Sequence, residues 1–208
     1  MTPTRKQAVS TRRADAERNA AAIVEAARAA FGRGETPAMN EIARAAGIGR
    51  VTLYSHFSSR EEVLDAVLDR VFIEADQAVD GARPESGPAE AALERVVRTS
   101  WSVLDGCRRI RGAALALRGS EHLRERHDRA AERVEALVDR GRVEGVFRSD
   151  LPRNWLVTLF FAILHAAADE VDAGRLDTGR AADRLVASVL SVMRPPPSSG
   201  AGAERPVL

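Results

Sequence analysis

Residues 41–57 read Glu41-Ile42-Ala43-Arg44-Ala45-Ala46-Gly47-Ile48-Gly49-Arg50-Val51-Thr52-Leu53-Tyr54-Ser55-His56-Phe57, and the order of small, apolar and polar positions decides the architecture. Two short helices can cross steeply only if the first is small at the crossing and the turn tolerates a left-handed backbone. Ala43 and Gly47 fill those places, and Ile48 supplies an apolar plug beneath the turn. Leu53 and Phe57, one turn apart, pin the second helix. At about 100° per residue, the face opposite that pair is centred on Ser55 and flanked by Val51 and Thr52. Tyr54 and His56 fall on its shoulders, and Arg50 stands at its exposed start. The face is small, polar and free of carboxylates, as a helix entering a DNA major groove requires. Spacing alone would equally suit an ordinary αα-corner; the outward face and its basic flanks favour DNA.

The flanking sequence extends the pattern. Ile23, Val24, Ala27, Ala30 and Phe31 form a helical stripe from about Asp15, ended by Gly32 and Gly34. Ser58-Ser59-Arg60-Glu61-Glu62 contains two overlapping Ser-x-x-Glu capping boxes, opening a helix that runs to about Val79. Gly81 to Pro88 is a linker by composition. Beyond it, stripes occur at Leu93–Leu104, Ile110–Leu117, Leu123–Val138, Trp155–Leu164 and Ala182–Met193. The expectation is an all-α fold of about nine helices. Its parts are a flexible basic arm (1–14), a helix-turn-helix domain (15–58), a connecting helix (59–80), a ligand-binding and dimerisation domain (81–194) and a disordered tail (195–208).

Charge agrees with that division. The net charge of the 208 residues is only +1, but residues 1–60 hold ten Arg or Lys against five acids, and the remainder 21 against 25. Positive charge gathers where phosphates would be met. A single cysteine, Cys107, excludes an intrachain disulfide. The basic start lacks the apolar segment of a secretory signal, and Trp155–Ala168 is short for a membrane span, so a soluble cytoplasmic protein is expected.

Residues 41–57, with Ser58-Ser59-Arg60-Glu61-Glu62-Val63, closely resemble the signature of the tetracycline-repressor-like (TetR/AcrR) family, the Thr-Leu-Tyr-x-His-Phe run above all. The resemblance covers about Ile23 to Phe72. It implies a homodimer whose N-terminal helices bind a palindromic operator and whose C-terminal helices hold a small-molecule pocket. Carried over, Tyr54, His56 and Arg60 meet phosphates, while Arg50, Thr52 and Ser55 lie against the groove. Ala38 stands where the family often has a Ser or Thr cap that touches phosphate; Asn40 or Thr36 is the candidate substitute. Val51 stands where small residues are common and suggests a thymine-methyl contact.

Other clusters are weaker. Trp101, Leu104, Leu117, Phe161 and His165 are expected to wall an effector pocket. Trp155, Leu185, Val189 and Met193 are expected at the dimer seam. His165 and Asp169 share a helix face, but two ligands are too few for a protein-made metal site. A metal-dependent enzyme is thus a distant alternative, as is a helical interaction protein whose head no longer binds DNA. Cys107, beside Arg108, Arg109 and Arg111, reads as a buried thiol before a redox switch. No phosphate loop, nucleophile elbow or dinucleotide fingerprint is present, so no enzyme activity and no cofactor are expected.

Overall fold

A computed structural model describes residues 5–196. Regular structure among them is entirely helical: α1 (Arg5–Gly32), α2 (Met39–Ala45), α3 (Arg50–His56), α4 (Arg60–Gly81), α5 (Ala89–Arg124), a 3-10 turn (Glu125–His127), α6 (Asp128–Val143), α7 (Arg153–Asp172) and α8 (Thr178–Met193). Eight α-helices replace the expected nine because the Leu93–Leu104 and Ile110–Leu117 stripes are one element. Gly106, between them, is carried inside α5, where a glycine costs only about 1 kcal/mol. The real break comes later, at Gly119, with φ 82° and ψ 171°. That backbone region is open essentially to glycine alone.

The start also differs from expectation. α1 begins at Arg5, not near Asp15, so the arm is helical over its described part. Residues 5–14 contain no glycine or proline, and the pairs Arg13–Glu17 and Arg18–Asp15 lie at helical spacing. An apolar-stripe reading misses a helical start whose sequence, Arg5 to Ala14, carries no apolar period. Most of the expected C-terminal tail, 197–208, lies outside the described residues.

By contacts the chain forms two compact units, Met1–Gly81 with Ser100–Ala130, and Ala82–Thr99 with Ala131–Leu208. The first has a core of Ile23, Ala27 and Phe31 from α1, Ile42 and Ala43 from α2, Leu53 from α3 and Val63, Leu64, Val67, Leu68 and Val71 from α4. Ile110, Ala114 and Leu123 from the second half of α5 join it. Arg28 and Glu74 tie α1 to α4 through two 2.6 Å hydrogen bonds, which hold the Glu74 carboxyl below its usual range. Asp65 on α4 accepts from Arg118 and, at 2.7 Å, from His122, across the Gly119 break.

The second unit packs α7 on α8 and buries Leu156, Val157, Phe160 and Leu164 of the former. Glu144 accepts the Ala89 N–H at 2.7 Å, and Arg153 pairs with Asp139 at 2.6 Å, closing α5 and α7 onto α6. α7 is longer than its apolar stretch suggests. By length and composition alone it could cross a membrane, but so could the core helix of a non-membrane protein.

Candidate nucleic-acid interface

α2 has alanine at its N-cap, and Ala38 can offer no side-chain acceptor. Glu41 compensates by reaching back to take the Ala38 N–H at 2.8 Å. Neither Asn40 nor Thr36 is used as a cap; both are exposed. The turn closes by backbone geometry. Gly47 has φ 69°, its N–H donates to Arg44 O at 3.2 Å, and the Ile48 N–H donates to Ala43 O at 3.0 Å. Those two bonds form a Schellman motif, which places Ile48 directly over Ala43. The turn glycine and apolar plug expected from sequence are both present.

α3 follows with its direction fixed. Leu53 is fully buried, and Ile48 and Phe57 pack on the same core. Two bonds frame the helix, Leu53 N–H to Gly49 O at 3.0 Å and Phe57 N–H to Leu53 O at 2.9 Å. Arg50, Val51, Tyr54 and Ser55 are therefore turned outward, with Thr52 and His56 half-buried beside them. Val51 is 86% exposed, an unusual place for a β-branched apolar residue. The Ser55 hydroxyl donates to Thr52 O at 2.7 Å, so its free lone pairs face outward as acceptors. The Arg50 guanidinium lies 5.5 Å from the Tyr54 ring centroid, a cation–π contact that limits where the arginine can go.

The helix after α3 starts at a true cap. Ser59 Oγ accepts the Glu62 N–H at 3.2 Å, while Glu62 accepts the Ser58 N–H at 2.6 Å. Ser59 is thus the acting cap, while the return bond of Glu62 goes to the preceding residue, Ser58. Both carboxylates sit at the positive end of α4, and a backbone hydrogen bond lowers the pKa of Glu61 against the opposing effect of burial. Arg60 stands 3.7 Å from Glu61 with part of its side chain open to solvent. The outward surface of α3 thus carries no carboxylate.

The remaining candidates divide between the units. Trp101, Leu104 and Leu117 belong to the first, Phe161 and His165 to the second. Leu185, Val189 and Met193 are 2%, 0% and 0% exposed within the single chain. They are core residues and not a free dimer ridge, a correction to the sequence expectation; periodicity shows an apolar stripe without showing what covers it. Trp155 does stay 50% exposed. Burial pushes the Cys107 thiol up to about 11, against the smaller opposing pull of Arg28 and Arg111, so it stays protonated at neutral pH. Among the described residues no three His, Cys, Asp or Glu side chains gather as a metal site needs.

Sequence reasoning missed Glu41 as a cap and the Arg28–Glu74 tie. The first could be found from the Ala38-x-x-Glu41 spacing; the second joins residues 46 apart and has no local signal.

Known proteins match this geometry. Residues 23–67 fit the description "Bacterial regulatory proteins, tetR family". The HTH-type transcriptional repressor LfrR of Mycolicibacterium smegmatis is 29% identical over 158 residues, covering 76% of this chain and 82% of LfrR. The HTH-type transcriptional regulator EthR of Mycobacterium tuberculosis is 38% identical over 65 residues, 31% of this chain and 29% of EthR. The crystal structure of LfrR in complex with proflavine superposes with a TM-score of 0.64 at 26% identity, covering 85% of this chain and 97% of that one. Residues 23–67 thus match the tetR family of bacterial regulatory proteins, and the chain as a whole is similar in sequence and fold to DNA-binding transcriptional regulators of that type.

Proposed function

We propose that the protein is a one-component repressor: a homodimer that occupies a palindromic operator and leaves it on binding a small apolar or amphipathic molecule. The observation that carries the reading is the outward face of α3, polar, carboxylate-free and held by the fully buried Leu53. On this reading Val51, Thr52, Ser55 and Arg50 face base edges, while Tyr54, His56, Arg60 and Asn40 meet phosphates. A cytoplasmic location follows from that partner.

Dimerisation would use what α7 and α8 leave uncovered. Trp155, Thr158, Ala162 and Ala166 recur along one exposed line of α7, and Ala187, Ser188 and Ser191 along one of α8. Small residues beside one large aromatic let two helix pairs approach closely. Phe161 and His165, with ring centroids 6.5 Å apart, supply an aromatic wall and a polar anchor for the effector. The relative solved with proflavine, a flat aromatic amine, supports that ligand class. A ligand releases the operator only by binding the DNA-incompetent conformer more tightly.

The test is a salt-titrated binding assay of the full chain on the DNA upstream of its own gene and on a random duplex of equal length. Preference for the upstream DNA with a two-fold symmetric footprint is expected. Equal affinity for both duplexes at every salt concentration would defeat the reading.

A further inference from the structure

The loop that joins α1 to α2 has little packing of its own. Phe31 before it is fully buried and Pro37 at its end is buried, but residues 32–36 between them are all exposed. An open groove of about 360 Å³, with Ala30, Arg33, Pro37 and Arg44 among its walls, leaves that side of the loop without a packed layer. Short-range bonds give the loop its curl. The Gly34 N–H donates to Phe31 O at 2.9 Å and the Glu35 N–H to Ala30 O at 3.1 Å, with Gly34 at φ 81°. Arg33 pairs with Glu35 at 2.7 Å. Bonds that span so few residues set the shape of the loop and not its place against the rest of the head.

One bond from outside does that. Four residues after Arg33 stands Pro37, which has no N–H, so the helical bond that would satisfy the Arg33 carbonyl cannot form. Arg109 of α5 donates to it from Nη1 at 3.0 Å. The arginine stem follows the same course: its Cδ lies 3.6 Å from the place a Cβ on Gly34 would take. The next residue, Ile110, is 4% exposed in the core shared with Phe31 and Ile42, so the backbone that carries Arg109 is anchored. All of these residues belong to the first compact unit.

We infer that Arg109 is a positioning residue for DNA binding: from α5, outside the helix-turn-helix, it holds the α1–α2 loop and through it the start of α2. The inference rests on the DNA-binding reading above, in which Asn40 at that start meets a phosphate. Pro37 and Ala38 leave only a few bonds between the held carbonyl and Asn40, so loosening the loop misplaces the contact. Arg109 adds affinity by pre-ordering protein backbone, a cost that binding would otherwise bear.

The test compares the full chain with Arg109→Met, which keeps the stem but not the donor, and with Arg109→Lys, which keeps a donor and the charge. Amide hydrogen exchange is followed in the free protein. Binding to the upstream duplex and to a random duplex of equal length is followed across salt concentrations. In Arg109→Met the Gly34, Glu35 and Glu41 amides should exchange faster while those of residues 64–71 stay as in wild type, and the melting temperature should hold. Affinity for the upstream duplex should fall about fivefold, the scale of one hydrogen bond, with the slope of log affinity against log salt unchanged. Arg109→Lys should recover most of both effects. Wild-type affinity in Arg109→Met overturns the inference, whether or not the loop loosens. Lost affinity with unaltered loop exchange overturns it too, as does Arg109→Lys no better than Arg109→Met. A slope lower by about 0.9 would mean that Arg109 meets a phosphate itself. Faster exchange throughout residues 64–71 with a lower melting temperature would make it a general support of the unit; either result rejects the positioning role. Wild-type protein with no preference for the upstream duplex defeats the repressor reading instead, and the exchange comparison still decides whether Arg109 holds the loop.

Discussion

Val51 on α3 and Trp155 on α7 are both large apolar residues left in solvent, at 86% and 50% exposure, one in each compact unit. Their surroundings give them different meanings. Val51 stands alone on a polar face whose direction is fixed by a fully buried leucine two positions away on the opposite side of the helix. Trp155 begins a line of small residues on a helix apolar nearly all round. An isolated exposed side chain on a rigid short helix is suited to reading a partner's shape. An exposed residue that continues an apolar surface is suited to burial against a second copy.

The contrast is broken most severely by removing the pin. Leu53→Ala leaves a cavity at the centre of the first core and should cost about 2–5 kcal/mol. Operator binding should fail while Trp155 and its helix keep their structure. Chemical denaturation followed by tryptophan fluorescence and by DNA binding checks this; a variant that binds DNA normally would show that Leu53 does not orient α3.

The equivalent blow to the second unit is Gly141→Ala. A Cβ at Gly141 would stand 1.9 Å from the Phe147 ring, and that phenylalanine is buried. The ring cannot move without opening the core around α6, so a loss of about 3 kcal/mol is expected. Self-association measured by sedimentation should weaken with it. Wild-type stability in this variant would mean the ring has room the packing does not show.

These two positions mark what the sequence could say. Leu53 was readable because Ala43, Gly47, Ile48 and Phe57 form a local pattern within one turn-linked pair of helices. Gly141 has no such local signal, because its reason is Phe147 returning from beyond the turn. The same holds for the candidate sites. The outward set from Arg50 to His56 follows from helical period alone. Leu185, Val189 and Met193 read as a dimer seam from sequence because a stripe's covering partner, here the chain itself, is a tertiary fact. The helical start at Arg5 has no such signal, since Arg5 to Ala14 carries no apolar period to detect.

A smaller effect is expected at Asp65, which links α4 to the segment beyond Gly119. Burial alone would raise its pKa, but hydrogen bonds from Arg118 and His122 outweigh that and hold it below the ordinary carboxylate value. A carboxyl depressed in the folded state contributes its full stability above its unfolded pKa and loses it as pH falls through the folded one. Asp65→Asn should cost about 2 kcal/mol at neutral pH, the scale of hydrogen bonds to a charged group. It should also flatten the loss of stability on acidification below about pH 4. Urea melts at neutral and acid pH measure both; a variant that loses stability in parallel with wild type through the acid range would remove Asp65 from the account.

The finest distinction lies within α3 itself. Tyr54 stands on the shoulder, 43% exposed, with the Arg50 guanidinium over its ring, whereas Val51 projects from the middle of the outward face. Phosphate contacts position a protein without discriminating sequence, and base-edge contacts discriminate. Tyr54→Phe keeps the ring that holds Arg50 and removes only the hydroxyl, so affinity for operator and for random duplex should fall by similar factors. Val51→Ser removes the methyl groups that would pack against thymine, and should relax preference at one A·T position in each half-site by about 1 kcal/mol. Binding of each variant to operator, single-base operator variants and random duplex at several salt concentrations separates the two behaviours. Should Val51→Ser lower all affinities equally while Tyr54→Phe shifts base preference, the helix lies in the groove rotated from the orientation its buried leucine implies.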